Sequence, residues 1–300
     1  MSDLTRGAAW MNGRIIPASE ATISVMDWGL THSDITYDVA QVWEGGFFRL
    51  DDHLDRFEAS LAKVHISIPE SRDQIRDILT RITAASGLRN AYCAFVASRG
   101  LQMVPGSRDP RTCASHFFAW VVPYVQVISD DKIARGARLK IAEGAERISP
   151  RAVDPTAKNY HWGDITAGLF EALEDGYDSV LLADADGHVT EGPGFNAFAV
   201  IDGTVVTPAK GVLEGITRKT VIEICAALGL ACEERDIPVA EFLNADEVFI
   251  SSSGGGPLPI TEVNNRIYGN GAPGPITDRI RTLYKAWRAK GPLRTEIAYD

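Results

Sequence analysis

The sequence predicts an α+β fold, with a smaller N-terminal α/β domain and a larger C-terminal domain of antiparallel strands and helices. Three observations predict it. The chain has 300 residues, 45% of them hydrophobic, which is enough for two hydrophobic cores. Strand-like segments bounded by turn residues occur in both halves, with amphipathic helices between them. Pro123 and a polar run at 129–132 separate the halves, so we expect domains at 1–124 and 133–300, joined by a linker at 125–132.

Two strand pairs and a helix are predicted at the start of the chain. Asn12-Gly13 is a strong two-residue hairpin turn, and Gly45-Gly46 follows a second strand-like run. The expected pairs are 10–11 with 14–16 and 39–43 with 47–50. Asp51 and Asp52 are then expected to cap a helix. Its buried face is predicted by apolar residues that recur at helical spacing, namely Leu54, Phe57, Leu61 and Val64.

The rest of the first half is predicted to contain a helix, two strands and a long loop. The helix is expected at 71–85 with Gly87 closing it, and the strands at 92–98 and 117–125. The polar loop between these strands, at 99–113, contains glycine and proline. Loops of this length in compact domains are often functional.

More strands alternate with helices in the second half. Asp186-Gly187 and Asp202-Gly203 are hairpin-type turns, and Gly229 is expected to close a helix. Strands are predicted at 179–183, 197–201 and 247–251, and helices at 217–228 and 277–289. The last of these strands leads into the serine and glycine cluster at 251–256.

Composition excludes several classes of protein. The chain has 30 Lys and Arg residues against 40 Asp and Glu residues, giving a net charge of −10. Such a chain has no basic field to attract nucleic acid or anionic lipid. No apolar run reaches the ~20 residues of a membrane helix, and the N-terminal residues lack a secretion-signal pattern, so we expect a cytoplasmic protein. The four cysteines show no paired or metal-binding spacing, and neither do the six histidines, so no metal site is expected.

A lysine and a glutamate are the candidates for chemistry. Lys158 lies among proline and aromatic residues, where partial burial favours the neutral, nucleophilic amine. Taken alone, this local context is more typical of a solvated loop lysine, because lysine is mostly exposed. Glu191 follows 33 residues later, beside two glycines. A lysine amine, an acid that can hold a pyridinium proton and glycine-rich turns are the parts that a pyridoxal phosphate enzyme needs.

Three segments could bind the phosphate of such a coenzyme. Arg56 has a guanidinium that matches two phosphate oxygens, although in many helices such an arginine only pairs with a neighbouring acid. Gly215, Ile216 and Thr217 open a helix, whose first amides attract anions. The run from Ser251 offers hydroxyls and backbone amides, although Ser/Gly runs are usually linkers.

Together these segments resemble the fold type IV family of pyridoxal phosphate enzymes. Within that family, residues 32–60 (HSDITYDVAQVWEGGFFRLDDHLDRFEAS), 153–164 (VDPTAKNYHWGD), 190–196 (TEGPGFN) and 211–223 (GVLEGITRKTVIE) are most similar to (R)-selective amine transaminases. The resemblance implies a Schiff base on Lys158, with Glu191 paired to the pyridine nitrogen. It implies a phosphate site formed by Arg56, Gly215, Ile216, Thr217, Ser252 and Ser253.

The same resemblance implies a substrate pocket and a homodimer. A flexible arginine of these transaminases corresponds to Arg108, which could bind a keto acid carboxylate and withdraw for an apolar amine. The remaining pocket residues implied are His32, Tyr37, Val39, Trp162 and Gly254. A core or interface role is the competing interpretation for Val39 and Trp162. The family's threonine-threonine-alanine-glycine-glycine segment is replaced here by Ser252-Ser253-Gly254-Gly255-Gly256, so the pocket loop can differ.

We therefore expect a transaminase that moves the amino group of (R)-primary amines to a keto acid such as pyruvate in a ping-pong cycle. Transamination of D-amino acids or branched-chain amino acids on the same scaffold is the alternative. A lyase of the aminodeoxychorismate type, which eliminates pyruvate, is a third hypothesis. A binding protein that keeps the fold without the coenzyme is a fourth.

Overall fold

The computed structural model describes residues 4–299, which divide into two compact units. The first unit contains residues 4–125, 157–160 and 288–299, and the second contains residues 126–156 and 161–287. The expected domain boundaries differ from this division, because they assign residues 157–160 and 288–300 to the second domain. In the structure these two segments, as far as residue 299, pack with strands of the first unit.

The first unit contains a seven-stranded antiparallel sheet. The predicted hairpin around Asn12-Gly13 is confirmed, with Met11 opposite Arg14. The strands are β1 (Ala8–Met11), β2 (Arg14–Pro17), β3 (Ile35–Trp43), β4 (Gly46–Phe48), β5 (Ala91–Gln102), β6 (Cys113–Pro123) and β16 (Arg294–Glu296), in the spatial order β16-β4-β3-β5-β6-β1-β2.

Two long helices cover one face of this sheet. The helices of the unit are α1 (Trp28–Thr31), α2 (Leu50–Lys63) and α3 (Arg72–Ser86). Leu54 and Phe57 on α2 and Leu79 on α3 are buried in the core against the sheet. The prediction that Asp51 and Asp52 cap α2 is wrong, because the helix begins at Leu50 after Arg49, which is left-handed at φ 58°.

The opposite face of the sheet is apolar and aromatic. Ile35, Tyr37 and Val39 of β3 pack with Ala94 and Val96 of β5 in a separate cluster. Half-buried rings border this cluster, namely Tyr92, Phe118 and Trp120. Because side chains alternate along a strand, β3 presents one set of residues to the helices and another to this face.

The second unit is built on a nine-stranded mixed sheet, which contains parallel as well as antiparallel pairs. Its strands are β7 (Ala137–Ile141), β8 (Ser179–Leu181), β9 (Glu191–Gly192), β10 (Phe195–Ile201), β11 (Thr204–Thr207), β12 (Cys232–Glu234), β13 (Glu247–Ser252), β14 (Gly256–Val263) and β15 (Arg266–Ile267). Its helices are α4 (Asp130–Ala134), α5 (Gly163–Glu174), α6 (Ile216–Leu228), α7 (Val239–Leu243) and α8 (Pro275–Lys290), and the division between the units falls within α8.

The loop expected at 99–113 is shorter in the structure. β5 continues to Gln102, and Pro110–Thr112 forms a 3-10 turn before β6. The irregular segment is therefore 103–109. The register shifts between Ser98 and Leu101, where Gly100 has φ +77° and an added Cβ would overlap the Ala114 carbonyl. None of the helices in the described part of the chain has the length and apolar character to cross a membrane.

Candidate active site

Lys158 is fixed by its backbone to the first unit. Its carbonyl accepts hydrogen bonds from the Tyr37 amide at 3.2 Å and from Thr36 Oγ1 at 2.6 Å. Its amide donates to Ser60 Oγ of α2 at 3.2 Å. The main chain of Lys158 is thus held between β3 and α2, and its side chain is half-buried.

The Lys158 amine lies over one of two stacked tyrosine rings. Nζ lies 4.5 Å from the centre of the Tyr37 ring, and Tyr37 stacks on Tyr160 with 4.0 Å between ring centres. Burial raises the pKa of Tyr160, which therefore stays a neutral phenol. The Lys158 amine therefore lies against the aromatic face of the first-unit sheet.

Arg56 forms a buried ion pair with Asp38. Nε of Arg56 donates to Asp38 Oδ2 and Nη2 donates to Oδ1, both at 2.8 Å. His53 Nδ1 lies 2.7 Å from the same Oδ1, and the Val39 amide also donates to it. Asp38 belongs to β3 rather than to the helix of Arg56, so the pair joins two elements. A planar guanidinium held along one edge has its remaining N–H groups in fixed directions.

Glu191 is the centre of a hydrogen-bond network in the second unit. Its Oε1 accepts from Arg147 Nη2 at 2.9 Å, and its Oε2 accepts from the Leu213 amide at 2.9 Å. Asn196 Nδ2 lies 3.5 Å from Oε2. The Glu191 side chain is 9% exposed. Both oxygens accept bonds from fixed donors, which stabilises the ionised carboxylate.

Arg147 in turn is bound by a second carboxylate. Its Nη1 donates to Asp164 Oδ2 at 2.6 Å, and the Ile148 amide donates to the same oxygen at 2.8 Å. Burial raises the pKa of Asp164, but the bonds from the Ile148 amide, Arg147 and the Ile165 amide outweigh burial and lower it. Asp164 is therefore ionised at neutral pH.

The start of α6 offers backbone donors. Gly215 precedes the helix and no side chain caps it, so the amides of Ile216 and Thr217 have no partner within the helix. A Cβ added at Gly215 would lie 2.1 Å from Asn196 Oδ1. Asn196 also donates to the Leu213 carbonyl at 2.9 Å, so it joins this turn to Glu191.

The turn between β13 and β14 approaches the loop after Glu191. Ser252 Oγ donates to the Gly194 carbonyl at 2.7 Å and accepts from the Gly254 amide at 3.1 Å, so this hydroxyl holds the turn itself. Ser251 Oγ is buried and has no hydrogen-bond partner among the described residues. Ser253 is half-buried and Gly254 is buried. A Cβ at Gly194 would lie 4.0 Å from the half-buried Trp162 ring.

The structure thus collects the expected residues in two sets. Lys158, Arg56, Tyr37 and Val39 belong to the first unit. Glu191, Trp162 and the residues of the α6 and β13 turns belong to the second, with Gly215, Ile216, Thr217, Ser252, Ser253 and Gly254 among them.

His32 and Arg108 are exposed in the first unit, and the contacts found for them are local. His32 ends α1, where its ring stacks on Trp28 and Nδ1 lies 2.8 Å from the Thr31 hydroxyl. Arg108 lies in the irregular segment 103–109, and it makes no ion pair with any residue of the described chain. The structure does not bring either residue to Lys158 through a direct contact between described residues.

Asp38, Arg147, Asp164 and Asn196 belong to these networks but are not among the site residues predicted from sequence. Asp38 and Asn196 are polar residues inside apolar strand patterns, and that is a sequence signal, since buried polar side chains need partners. Arg147 and Asp164 lie in a polar loop and in the first turn of a helix, where charged residues are ordinary. No sequence pattern distinguishes them.

One group in the described residues has a geometry that could suit a cation. Ligand atoms of Asp184, Asp186 and His188 lie within 4.8 Å of one another near the surface. The Asp184 carboxylate already accepts from the amides of Asp186 and His188, as in an ordinary turn. This group is separate from the networks around Lys158 and Glu191.

The polar groups described above match the chemistry of a phosphorylated pyridine. The buried Ser251 hydroxyl and the open amides at the start of α6 are donors suited to a phosphate. The ionised Glu191 carboxylate suits a pyridinium nitrogen, and the Lys158 amine suits an aldehyde carbon. The donor set therefore fits pyridoxal phosphate.

Comparison with known proteins supports this chemistry. Residues 36–263 match the family model of class IV amino-transferases. The chain is 28% identical to a putative branched-chain-amino-acid aminotransferase of Methanocaldococcus jannaschii, over 95% of this chain and 98% of that protein. It is 26% identical to a D-alanine aminotransferase of Listeria monocytogenes, over 94% of this chain and 97% of that protein.

Solved structures show the same fold. The branched-chain amino acid aminotransferase of T.th., crystallised with pyridoxamine 5'-phosphate, superposes with a TM-score of 0.89 at 27% identity and covers 98% of this chain and 99% of its own. The predicted α+β class and the fold type IV architecture are confirmed. The chain belongs to the class IV aminotransferases, and it is a pyridoxal phosphate-dependent aminotransferase.

Proposed function

We propose that this protein transfers the amino group of (R)-primary amines to a keto acid such as pyruvate in a ping-pong cycle. The observation that carries the proposal is the apolar face of the first sheet beside Lys158, formed by Ile35, Tyr37, Val39 and their neighbours. An apolar amine has no carboxylate, so burial of its hydrocarbon substituents must supply most of its binding energy.

In this proposal Lys158 binds the coenzyme covalently and later acts as the base. When bound, pyridoxal phosphate would supply an aldehyde carbon that reacts with amines and a ring that accepts electron density from the amine-bearing carbon. Lys158 Nζ, as a neutral amine, takes the proton from that carbon. Its fixed main chain and the Tyr37 ring restrict the positions that Nζ can reach, which favours transfer on one face of the substrate.

The remaining proposed contacts hold the coenzyme. Glu191 keeps a proton at the ring nitrogen, which is the reason for an ionised carboxylate in a buried place. Arg56, the amides of Ile216 and Thr217, and the turns at Gly215 and at Ser252 and Ser253 bind the phosphate. Since the Ser252 hydroxyl donates to Gly194, its contribution is to shape the turn that presents Ser253 and Gly254.

The proposed substrate pocket must accept both a keto acid and an amine without a carboxylate. An arginine fixed in such a pocket would be buried without a partner when the amine is bound, which costs several kcal/mol. Arg108 is exposed on an irregular segment, so it can approach a carboxylate and withdraw. His32, Tyr37, Val39 and Trp162 complete the proposed walls.

The proposal includes a homodimer. Large apolar side chains are exposed around α1 and after β5, namely Val25, Met26, Leu30, Met103 and Val104. Exposed groups of this kind are typical of protein interfaces.

The test is turnover of each enantiomer of 1-phenylethylamine with purified protein, coenzyme and pyruvate. Formation of acetophenone and alanine from the (R) amine, with the (S) amine at background, is the expected result. Equal turnover of both enantiomers, or turnover of the (S) amine alone, contradicts the proposal.

Transamination of branched-chain or D-amino acids is the second candidate, because the similar proteins carry those names. It predicts that L-leucine or D-alanine with 2-oxoglutarate exceeds the (R) amine in kcat/KM. Release of pyruvate from 4-amino-4-deoxychorismate with no amino acceptor present identifies a lyase instead.

A further inference from the structure

Glu191 is not an isolated carboxylate but the end of a charged series that we call the Asp164–Arg147–Glu191 chain. Arg147 bridges the two acids through different N–H groups, Nη1 to Asp164 and Nη2 to Glu191. The three side chains are 13%, 7% and 9% exposed, in the order Asp164, Arg147 and Glu191. Charges this deeply placed interact more strongly than they would in water.

The Asp164–Arg147–Glu191 chain has a net charge that its last two members lack. Arg147 and Glu191 by themselves form a neutral pair, and a neutral pair attracts a pyridinium cation weakly. With Asp164 the three groups carry one net negative charge, which a protonated ring nitrogen would neutralise. Since an uncompensated charge in a buried place is costly, Asp164 changes the proton affinity of a ring nitrogen that it does not touch.

We propose that Asp164 is a positioning residue that acts through Arg147 to keep Glu191 effective toward the coenzyme ring nitrogen. This inference rests on the proposed function, which places that nitrogen at Glu191. Asp164 also holds the Ile148 and Ile165 amides, so the charge effect must be separated from a purely structural one.

The local geometry supports an electrostatic role. Two of the five Arg147 donors are used by the two acids, and its Nε is buried with no hydrogen-bond partner among the described residues. If the Arg147 guanidinium only cross-linked loops by hydrogen bonds, its Nε would be expected to donate a hydrogen bond as well. The orientation of Arg147 is therefore set by the two carboxylates.

The experiment compares the affinities of pyridoxamine phosphate and its 1-deaza analogue, in which a CH group replaces the ring nitrogen. The ratio of the two dissociation constants, measured by calorimetry, isolates the contribution of the nitrogen. Asp164→Asn is the test variant and Asp164→Glu the charge-restoring one. Asp178→Asn is the matched control, because Asp178 is also buried in the second unit and accepts from Arg135 and from the Arg138 amide.

We expect the preference for the nitrogen-containing compound to fall about tenfold in Asp164→Asn, equivalent to about one pKa unit at the nitrogen. Asp164→Glu should restore much of it, and Asp178→Asn should match the parent. The 15N resonance of labelled coenzyme should move toward the deprotonated position in Asp164→Asn only. Equal preference in Asp164→Asn and the parent overturns the inference.

Glu191→Gln separates failure of this inference from failure of the proposed function. If Glu191→Gln lowers the preference and Asp164→Asn does not, the inference is wrong and the role of Glu191 stands. If neither lowers it, the assignment of Glu191 itself is wrong. Should Asp164→Asn not fold, Arg147→Gln replaces it: losing the positive charge should increase the preference, and an unchanged or smaller preference overturns the inference.

Discussion

At the residue scale, Asp38 and Arg56 form a buried ion pair between β3 and α2 of the first unit. Burial by itself raises the pKa of Asp38, but Arg56 and His53 outweigh it and hold the pKa well below its ordinary value of 3.8. Burial lowers the pKa of His53 and the Asp38 carboxylate raises it. The effect of burial is the larger one, so the pKa of His53 is lowered. The carboxylate thus stays ionised over the whole neutral range and fixes the plane of the Arg56 guanidinium.

Replacing Asp38 by Asn should destabilise the protein by about 3–5 kcal/mol, because it removes the acidic partner of a buried ion pair. Asp55→Asn is the control, since Asp55 pairs with Arg72 on an exposed surface, where such pairs contribute about 0–1 kcal/mol. The midpoint of urea unfolding measures the loss of stability in both variants. Similar midpoints for the two variants would contradict the interpretation.

The same pair predicts a pH dependence. The folded pKa of Asp38 is depressed, so its contribution to stability is fully present above its unfolded value, near 3.8, and is lost as the pH falls toward the folded value. The gap in urea midpoint between the parent and Asp38→Asn should therefore narrow as the pH falls below about 4. A difference in urea midpoint that widens below about pH 4 would contradict this prediction, because it would mean that protonation of Asp38 stabilises the folded protein.

At the element scale, the start of α6 is the feature that joins several predicted contacts. Gly215 leaves space for Asn196, which holds both the Leu213 carbonyl and, more weakly, Glu191. Helix amides with no capping side chain are the donors that an anion can bind. A single glycine thus permits a close approach between a strand residue and a helix start.

Gly215→Ala should weaken coenzyme binding on the order of tenfold, because the new Cβ displaces Asn196 and shifts the α6 amides. Gly229→Ala at the other end of α6 is the control. Gly229 has φ +66° and open space around it, so its replacement should cost about 1–2 kcal/mol of stability through left-handed strain, with coenzyme affinity unchanged. Fluorescence titration with pyridoxal phosphate measures the affinity, and equal affinities in both variants would argue against the role of Gly215.

At the scale of the whole molecule, segments distant in sequence complete the first unit. Residues 157–160, which include Lys158, are tied to β3, and β16 from the end of the chain pairs with β4. Both segments lie beyond the expected first domain. The first unit is therefore formed by three separate stretches of sequence and not by one continuous stretch. The covalent chemistry proposed for the enzyme depends on the amine of Lys158, which lies in one of these segments.

Borohydride reduction of the coenzyme-loaded protein should fix the label on Lys158 alone, as found by peptide mapping. Lys158→Ala should lose the label and the visible absorption band and retain its secondary structure by circular dichroism, because the side chain lies on a surface of the sheet. Lys63→Ala, at the exposed end of α2, should keep both. A label on another lysine, or none in the parent, would refute the assignment of Lys158.

Most strand and helix positions could be predicted from the sequence, because hydrophobic period, turn residues and helix caps are local signals. The coenzyme class followed instead from Lys158, Glu191 and the resemblance of their segments to the fold type IV family. The sequence also placed Gly87 and Gly229 at the ends of their helices. The first residue of α2 could not be predicted, since Arg49 takes a left-handed conformation that the local pattern does not require.

Folding brings together side chains that lie far apart in the sequence. Asp38 pairs with Arg56 across 18 positions, and Arg147 reaches Glu191 across 44. The energy of these pairs depends on burial and on the directions of N–H groups. Neither quantity is determined by the residues adjacent in the sequence. For that reason the candidate groups could be recognised from sequence, while their partners and the charges acting on them became apparent only in the folded chain.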